Sequence, residues 1–250
     1  MTRLGVNIDH VATLRNQRDE GYPNLARAAQ ISLENGAHQI TIHLREDRRH
    51  IRDDDLKEVQ KVTRKYQKLL NLEVGTDLEI AGIAGELAPD WVCIVPEKRE
   101  EKTTEGGLDI TRSEIYEKVI QVIEIIKEKS ANSKISLFIE ASMPIFEAVK
   151  KMNKTTKIDA VEIHTGDYAK AVLLEGSVDL HFEVFQQFKA RYLQEDIGYH
   201  AGHGLTLESL RPLVDRGIFD EYNIGHWIIS ESIFSGIGPV VKEMSELLKQ

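Results

Sequence analysis

The eight residues from His43 to His50, HLREDRRH, set three arginines and two histidines side by side in a chain whose formal net charge is -9. Imidazole takes up and releases protons near neutral pH. Guanidinium forks grip phosphate or carboxylate oxygens two at a time. Both groups together, on an acidic chain, describe a local site for an anionic substrate. Arg45, Arg48, Arg49 and His50, with Arg18 upstream, form the expected phosphate grip. Arg48 is the first of these to be assigned instead to Glu46, Asp47 or the acidic run at 53–55.

Two further stretches carry the same chemistry by another route. HAGHG at 200–204 and NIGHW at 223–227 combine histidine with glycine, and glycine lets backbone N–H groups approach a phosphate closely. Glu73 is the carboxylate best placed to work with His43, because each can tune the other's proton affinity. Lys98 sits among charged neighbours and reads as a solvated loop residue, and His38 and His181 read as surface or packing histidines. Cys93, the single cysteine, lies in the apolar run WVCIVP and reads as a small buried hydrophobe. Asp9, His43, Glu73 and His164 make a conceivable metal set, yet the His-x-His pair of metal-dependent hydrolase barrels is missing from the first strand, so no metal is expected.

Groups scattered from residue 9 to residue 226 need a scaffold that gathers them. Short apolar or alternating runs occur eight times: LGVNID, QITIHL, LLNLEV, WVCIVP, ISLFIE, AVEIHT, IGYHAG and EYNIG. Between and after them, helical spacing covers 24–35, 53–66, 77–87, 112–129, 144–152, 179–194, 207–215 and 228–248, with an extra short helix near 167–174. Strand then helix, eight times in 250 residues, is the pattern of one (β/α)8 TIM barrel spanning 1–250, whose site lies at the C-terminal strand ends.

Alternation within the strands sorts side chains into two faces. Val6 and Ile8 oppose Asn7 and Asp9; Ile40, Ile42 and Leu44 oppose Thr41, His43 and Arg45; Leu72 and Val74 oppose Asn71 and Glu73. Ser136 and Glu140, and Glu162 and His164, take the polar face of strands 5 and 6. Barrel interiors are ordinarily apolar, so this many inward polar groups mark a binding site, with Glu140 and Glu162 either functional or paired with inward cations.

Composition narrows the class. With 41% hydrophobic residues the chain can build a full core, and an acidic balance excludes generic nucleic-acid binding. There is no signal-peptide pattern and no apolar run long enough to span a membrane, which makes a cytoplasmic location the expectation.

GVNIDHVATLRNQR, ITIHLREDRRHI, VPEKREEKTTEGGLD, EIHTGDYA, AGHGLT and NIGH, in order from residue 5 to residue 226, resemble the pyridoxine 5'-phosphate synthase family over nearly the whole chain. The resemblance implies a (β/α)8 barrel with added helices, assembled as a homo-octamer. It implies condensation of 1-deoxy-D-xylulose 5-phosphate with 3-amino-2-oxopropyl phosphate to pyridoxine 5'-phosphate, phosphate and water, with no cofactor. It assigns binding to Asn7, Asp9, His10, Arg18, Arg45, His50 and Thr103, with Gly204, Gly225 and His226 around the aminoketone phosphate. It assigns proton acceptance to His43 and Glu73 and proton donation to His203. TTEGGLD is expected to close over the site, and Tyr199, His200, Trp227 and Ser230 are bulkier than the family pattern at the phosphate end. A metal-dependent sugar-phosphate aldolase or epimerase and a non-catalytic phosphometabolite-binding protein are the alternative readings.

Overall fold

A computed structural model describes residues 2–18, 20–97 and 106–249. Eight parallel strands close into one barrel in sequence order: β1 (Arg3–Asn7), β2 (Gln39–Leu44), β3 (Leu69–Val74), β4 (Trp91–Ile94), β5 (Lys134–Ile139), β6 (Ala160–His164), β7 (Gly198–Gly202) and β8 (Glu221–Ile224). β8 pairs with β1 in the register Val6↔Ile224, which completes the ring.

The strands hold because their outward positions meet helices. Val6, Ile40, Ile42, Leu44, Leu72, Val74, Leu137, Ile139, Val161 and Ile163 are wholly buried. Each such side chain contributes about 1.5–3 kcal/mol when fully buried. The covering helices are α1 (Asp9–Asn16), α2 (Leu25–Glu34), α3 (Asp53–Lys65), α4 (Leu78–Leu87), α5 (Ser113–Lys129), α6 (Met143–Asn153), α7 (Gly166–Leu173), α8 (Asp179–Gln194), α9 (Leu207–Asp215), α10 (His226–Ser235) and α11 (Ile237–Leu247). Local chemistry sets several starts. The Asn24 side chain accepts from the Arg27 N–H, Asp77 accepts from Glu79 and Ile80, and Thr206 and Ser209 cap α9 reciprocally.

Two helix expectations change. Residues 9–16 form α1, which sequence pattern left as loop; it is two turns long and has no side-chain N-cap, so nothing local announces it. The expected helix 228–248 begins two residues earlier and breaks at Gly236, whose φ of +80° suits glycine, into α10 and α11. The short helix expected near 167–174 is α7.

Below the mouth the interior is polar and cross-linked by hydrogen bonds between its side chains. Arg3 Nε donates to Glu221 Oε2 at 2.7 Å, Gln39 Nε2 donates to Glu221 Oε1 at 2.8 Å, and Thr41 and Gln39 both donate to Asn223 Oδ1. Burying these groups is tolerable because each finds a partner. His200 belongs to this layer, 3.4 Å from Glu221 and edge-on to Trp91, while Tyr199 faces outward and stacks on Tyr192 and Phe219. Their bulk therefore lies away from the phosphate end, contrary to expectation.

Candidate active site

The inward residues at the C-terminal strand ends open into a cavity of about 480 Å³. It is lined by Asn7, Asp9, His10, His43, Arg45, His50, Glu73, His203, Gly204, Gly225 and His226, all singled out from sequence. Trp227 and Ser230, the two departures on α10, line it as well. Arg18 does not: it follows α1 and is exposed, outside the lining. Lys98, Thr103 and the next two residues of TTEGGLD lie outside the described residues.

The floor is acidic. His43 and Glu73 are register partners on β2 and β3, and His43 Nδ1 stands 3.7 Å from Glu73 Oε2. Asp9, in the first turn of α1, accepts the His43 backbone N–H at 2.8 Å and the Asn7 side-chain amide at 2.9 Å. Burial raises the pKa of Asp9. Burial raises Glu73 well above its ordinary value too, with the charges of Asp9 and Glu162 adding to it. Asp9, His43 and Glu73 offer ligand atoms all within 4.8 Å of one another, a donor set able to take a divalent cation. His164, the fourth residue of the expected metal set, stands apart from it. His164 Nδ1 is 2.8 Å from Glu140 Oε1, and its ring lies 4.9 Å from that of His203.

Glu140 is exposed just past β5 and meets His164, whereas the expected pairing of an inward carboxylate with a cation fails for Glu162. Glu162 accepts from Asn223 Nδ2 at 2.7 Å and, among the described residues, has no ion pair. Burial and the nearby Glu221 charge lift its pKa to about 8. Cys93 is buried beside it, as expected of a small apolar residue, and burial holds its thiol protonated.

The rim is basic and divided into two parts. On the β1–β2 side are Arg45, His10 and His50; Thr13 Oγ1 is 2.7 Å from His50 Nδ1. Burial first, then the neighbouring His10, His43, Arg45 and Arg49, lower His50 to about 4, so its ring is neutral at pH 7. Arg48 and Arg49 are drawn off: Arg48 pairs with Asp53 and Glu79, and Arg49 pairs with Asp47. The surrender of Arg48 is borne out, and Arg49 joins it because Asp47 is two residues away and already ionised.

On the β7–β8 side are His203, Gly204, Gly225 and His226. His203 and Gly204 both take left-handed backbone, with φ of +74° and +78°. Such strain persists at a non-glycine residue only when its surroundings insist. Here Thr165 Oγ1 contacts both the Gly202 and His203 carbonyl oxygens at 2.8 Å and pins the turn. A Cβ on Gly204 would lie 3.2 Å from Ala169 Cβ and Gly166 Cα, and one on Gly225 would lie 2.9 Å from Asn7 Cβ. Gly225 precedes α10, so the cavity receives the N-terminal end of that helix, which favours anions. The His10 ring bridges the two parts, 5.8 Å from His50 and 5.0 Å from His226.

Asn223 and Glu97 are polar site residues that the sequence reading did not single out. Asn223 sits at an inward position of EYNIG that alternation could have flagged. Glu97 lies three residues beyond β4 in a charged stretch that resembles a solvated loop, yet its Oε1 is 2.9 Å from His43 Nε2.

The family model described as "Pyridoxal phosphate biosynthesis protein PdxJ" matches residues 4–250. Proteins named pyridoxine 5'-phosphate synthase are similar along their whole length. The one from Ehrlichia chaffeensis is 42% identical over 98% of this chain and 96% of its own, and the one from Zymomonas mobilis is 44% identical over 98% and 91%. Among solved structures, tryptophan synthase from M. tuberculosis superposes with a TM-score of 0.65 at 11% identity, covering 100% of this chain and 94% of that one. Thiamine phosphate pyrophosphorylase from Pyrococcus furiosus does so with a TM-score of 0.58 at 16% identity, covering 99% and 95%. At such identities these structures share the barrel alone, whereas full-length likeness above 40% identity goes further: the chain belongs to the PdxJ family of pyridoxal phosphate biosynthesis proteins.

Proposed function

We infer that the chain is a pyridoxine 5'-phosphate synthase of vitamin B6 biosynthesis, joining 1-deoxy-D-xylulose 5-phosphate and 3-amino-2-oxopropyl phosphate in the cavity of a single barrel domain. The observation that carries this reading is the layout of the cavity. An acid–base floor built on His43 and Glu73 lies between two anion-favouring rims, one for each phosphorylated substrate.

The amine of one substrate condenses with the ketone of the other to an imine, and water leaves. Ring closure then needs protons removed from carbons beside carbonyl or imine groups, loss of the phosphate group carried by the sugar, and net loss of a second water. His43 and Glu73 accept those protons. Arg45 and His50 hold the departing phosphate, while Gly204, Gly225 and His226 hold the one that is retained, with Asn7, Asp9 and His10 orienting the reacting chain. Arg18 and Thr103 complete the binding set when substrates are present. His203 donates a proton to a leaving oxygen. Its pKa is lowered to about 4 by burial and by His164, so it begins neutral and takes its proton once an anionic substrate favours imidazolium.

The assay is the purified chain with both substrates and no added metal, followed by the ultraviolet band of the pyridine product and by phosphate release. Product under these conditions supports the synthase. Loss of product on chelation, with rescue by a divalent ion, would favour a metal-dependent reaction at Asp9, His43 and Glu73. We also propose that the chain works in the cytoplasm as a homo-octamer. Exposed Leu173, Leu174 and Leu180, at the junction of α7 and α8, support self-association, and a measured solution mass tests it. No helix of the described residues is long and apolar enough to cross a membrane.

A further inference from the structure

His43 has two ring nitrogens, and only the one without a proton can serve as a base. Its Nε2 lies 2.9 Å from Glu97 Oε1, a normal charge-assisted hydrogen-bond length, while its Nδ1 lies 3.7 Å from Glu73 Oε2, beyond hydrogen-bond range. Glu97 is anchored by its second oxygen, which accepts the Glu46 backbone N–H at 3.2 Å. Its side chain is 13% exposed, so water competes little for it.

The strand below makes room for this contact. Gly75 follows β3 directly, and a Cβ there would stand 2.7 Å from Glu97 Oε1 and 2.8 Å from Glu97 Cδ. Any larger residue would push the carboxylate off the imidazole. Burial alone would raise the pKa of Glu97, but the hydrogen bond and charge of His43 bring it below the ordinary carboxylate value. An ionised carboxylate only accepts, so the shared proton belongs to Nε2.

We propose that Glu97 is the positioning residue for His43, holding the Nε2–H tautomer so that Nδ1 is the basic atom turned toward Glu73 and the substrates. This inference rests on the synthase reading for the role of the base. When Nδ1 takes a substrate proton, the ring becomes imidazolium, and Glu97 stabilises that charge without touching substrate. The arrangement follows the general logic of an acid–base histidine oriented by a buried carboxylate.

The test uses the full-length chain with 15N-labelled histidine. The His43 signals are assigned by their loss in His43→Gln, and tautomer and turnover are both measured. Wild type should show a protonated Nε2 and a bare Nδ1. In Glu97→Gln the side-chain amide can donate to Nε2, so the proton should move to Nδ1. Turnover should then fall on the order of 10²- to 10⁴-fold with KM for both substrates changed less than threefold. Gly75→Ala, which alters neither histidine nor carboxylate, should move the tautomer the same way with a smaller loss of turnover. Glu97→Asp should restore part of both.

A wild-type Nδ1–H tautomer would overturn the proposal. So would Glu97→Gln turning over within twofold of wild type, or a loss of turnover accompanied only by a lower Tm with the tautomer unchanged. The tautomer is read without substrates, so it judges Glu97 even where the wild-type protein forms no pyridine product, an outcome that would count against the synthase reading instead.

Discussion

His43 and Glu73 face each other from adjacent strands with Nδ1 and Oε2 3.7 Å apart, and burial raises the proton affinity of the carboxyl. Burial, with the charges of Asp9 and Glu162, holds the Glu73 carboxyl above its ordinary proton affinity. Glu73→Gln copies the neutral carboxyl in shape and should leave folding and substrate affinity nearly intact. It removes an acceptor, so kcat should fall on the order of 10²- to 10⁴-fold. Because Glu73 accepts only when ionised, and its pKa lies above the ordinary 4.5, wild-type kcat/KM should climb with pH through that raised value. The variant should lose this limb. An unchanged kcat in Glu73→Gln, or an acid limb that persists without the carboxyl, would remove Glu73 from the proton-transfer set.

That pair was legible in the sequence, and the reason is geometric. Period-2 alternation places His43 and Glu73 on the inner face, and strand order makes them neighbours. The same logic sorted Asn7, Asp9, Arg45 and Glu162. What alternation cannot reach is backbone that is neither strand nor capped helix. The uncapped α1 went unseen, and so did Glu97, whose contact with His43 depends on a glycine 22 positions away in the chain. Nor does a sequence show how arginines will be shared. Arg45 lines the cavity from just beyond β2 and also stands 3.5 Å from Asp47, the same carboxylate that Arg49 pairs with. The resemblance implies a binding role for Arg18, which is exposed after α1 and outside the cavity lining.

The rim histidines should make the protein acid-sensitive. His50 and His203 each have a folded pKa of about 4 against an ordinary value of 6.5. A histidine lowered in this way contributes stability that is fully present above pH 6.5 and is lost as pH falls toward 4, because the unfolded chain takes up the proton first. Tm should therefore fall across that window. Inorganic phosphate at millimolar concentration should blunt the fall, since an anion at either rim favours the imidazolium forms and binds only the folded chain. A Tm that is flat from pH 7 to pH 4.5, or a fall that phosphate does not change, would contradict the anion-rim assignment.

Gly204→Ala tests the β7–β8 rim. Alanine at φ +78° meets the left-handed penalty, about 1–2 kcal/mol, and its Cβ would lie 3.2 Å from Ala169 and Gly166. For a domain of this size that is a loss of roughly 2–8 °C in Tm. The larger effect should be on binding, because a methyl group wedged against Ala169 and Gly166 must displace the turn that forms this rim. KM for the aminoketone phosphate should rise more than tenfold, while KM for the sugar phosphate changes little. Equal increases for both substrates would mean that this turn does not belong to one phosphate alone.

Glu162→Gln should make the protein more stable in alkali, an unusual sign for the loss of a buried charged residue. The Glu162 pKa is lifted to about 8 by burial and by Glu221, against the Asn223 hydrogen bond that pulls it down. In the unfolded chain the same carboxyl titrates near 4.5. A carboxyl raised on folding contributes its full stability below pH 4.5, where it is protonated in both states, and loses it as pH climbs through 8. Each tenfold difference in proton affinity is worth about 1.4 kcal/mol. Glutamine keeps an oxygen for Asn223 Nδ2 and never ionises. The Tm of the variant should match wild type near pH 4.5 and exceed it by several degrees at pH 8 to 9. A second readout follows from the electrostatics of the floor. Since Glu162 helps to raise Glu73, removing its charge should move the Glu73 limb of kcat/KM to lower pH. A Tm difference that does not vary with pH would show that Glu162 is already ionised at neutral pH and held by a partner. A Glu73 limb that stays in place would show that the two carboxyls titrate independently.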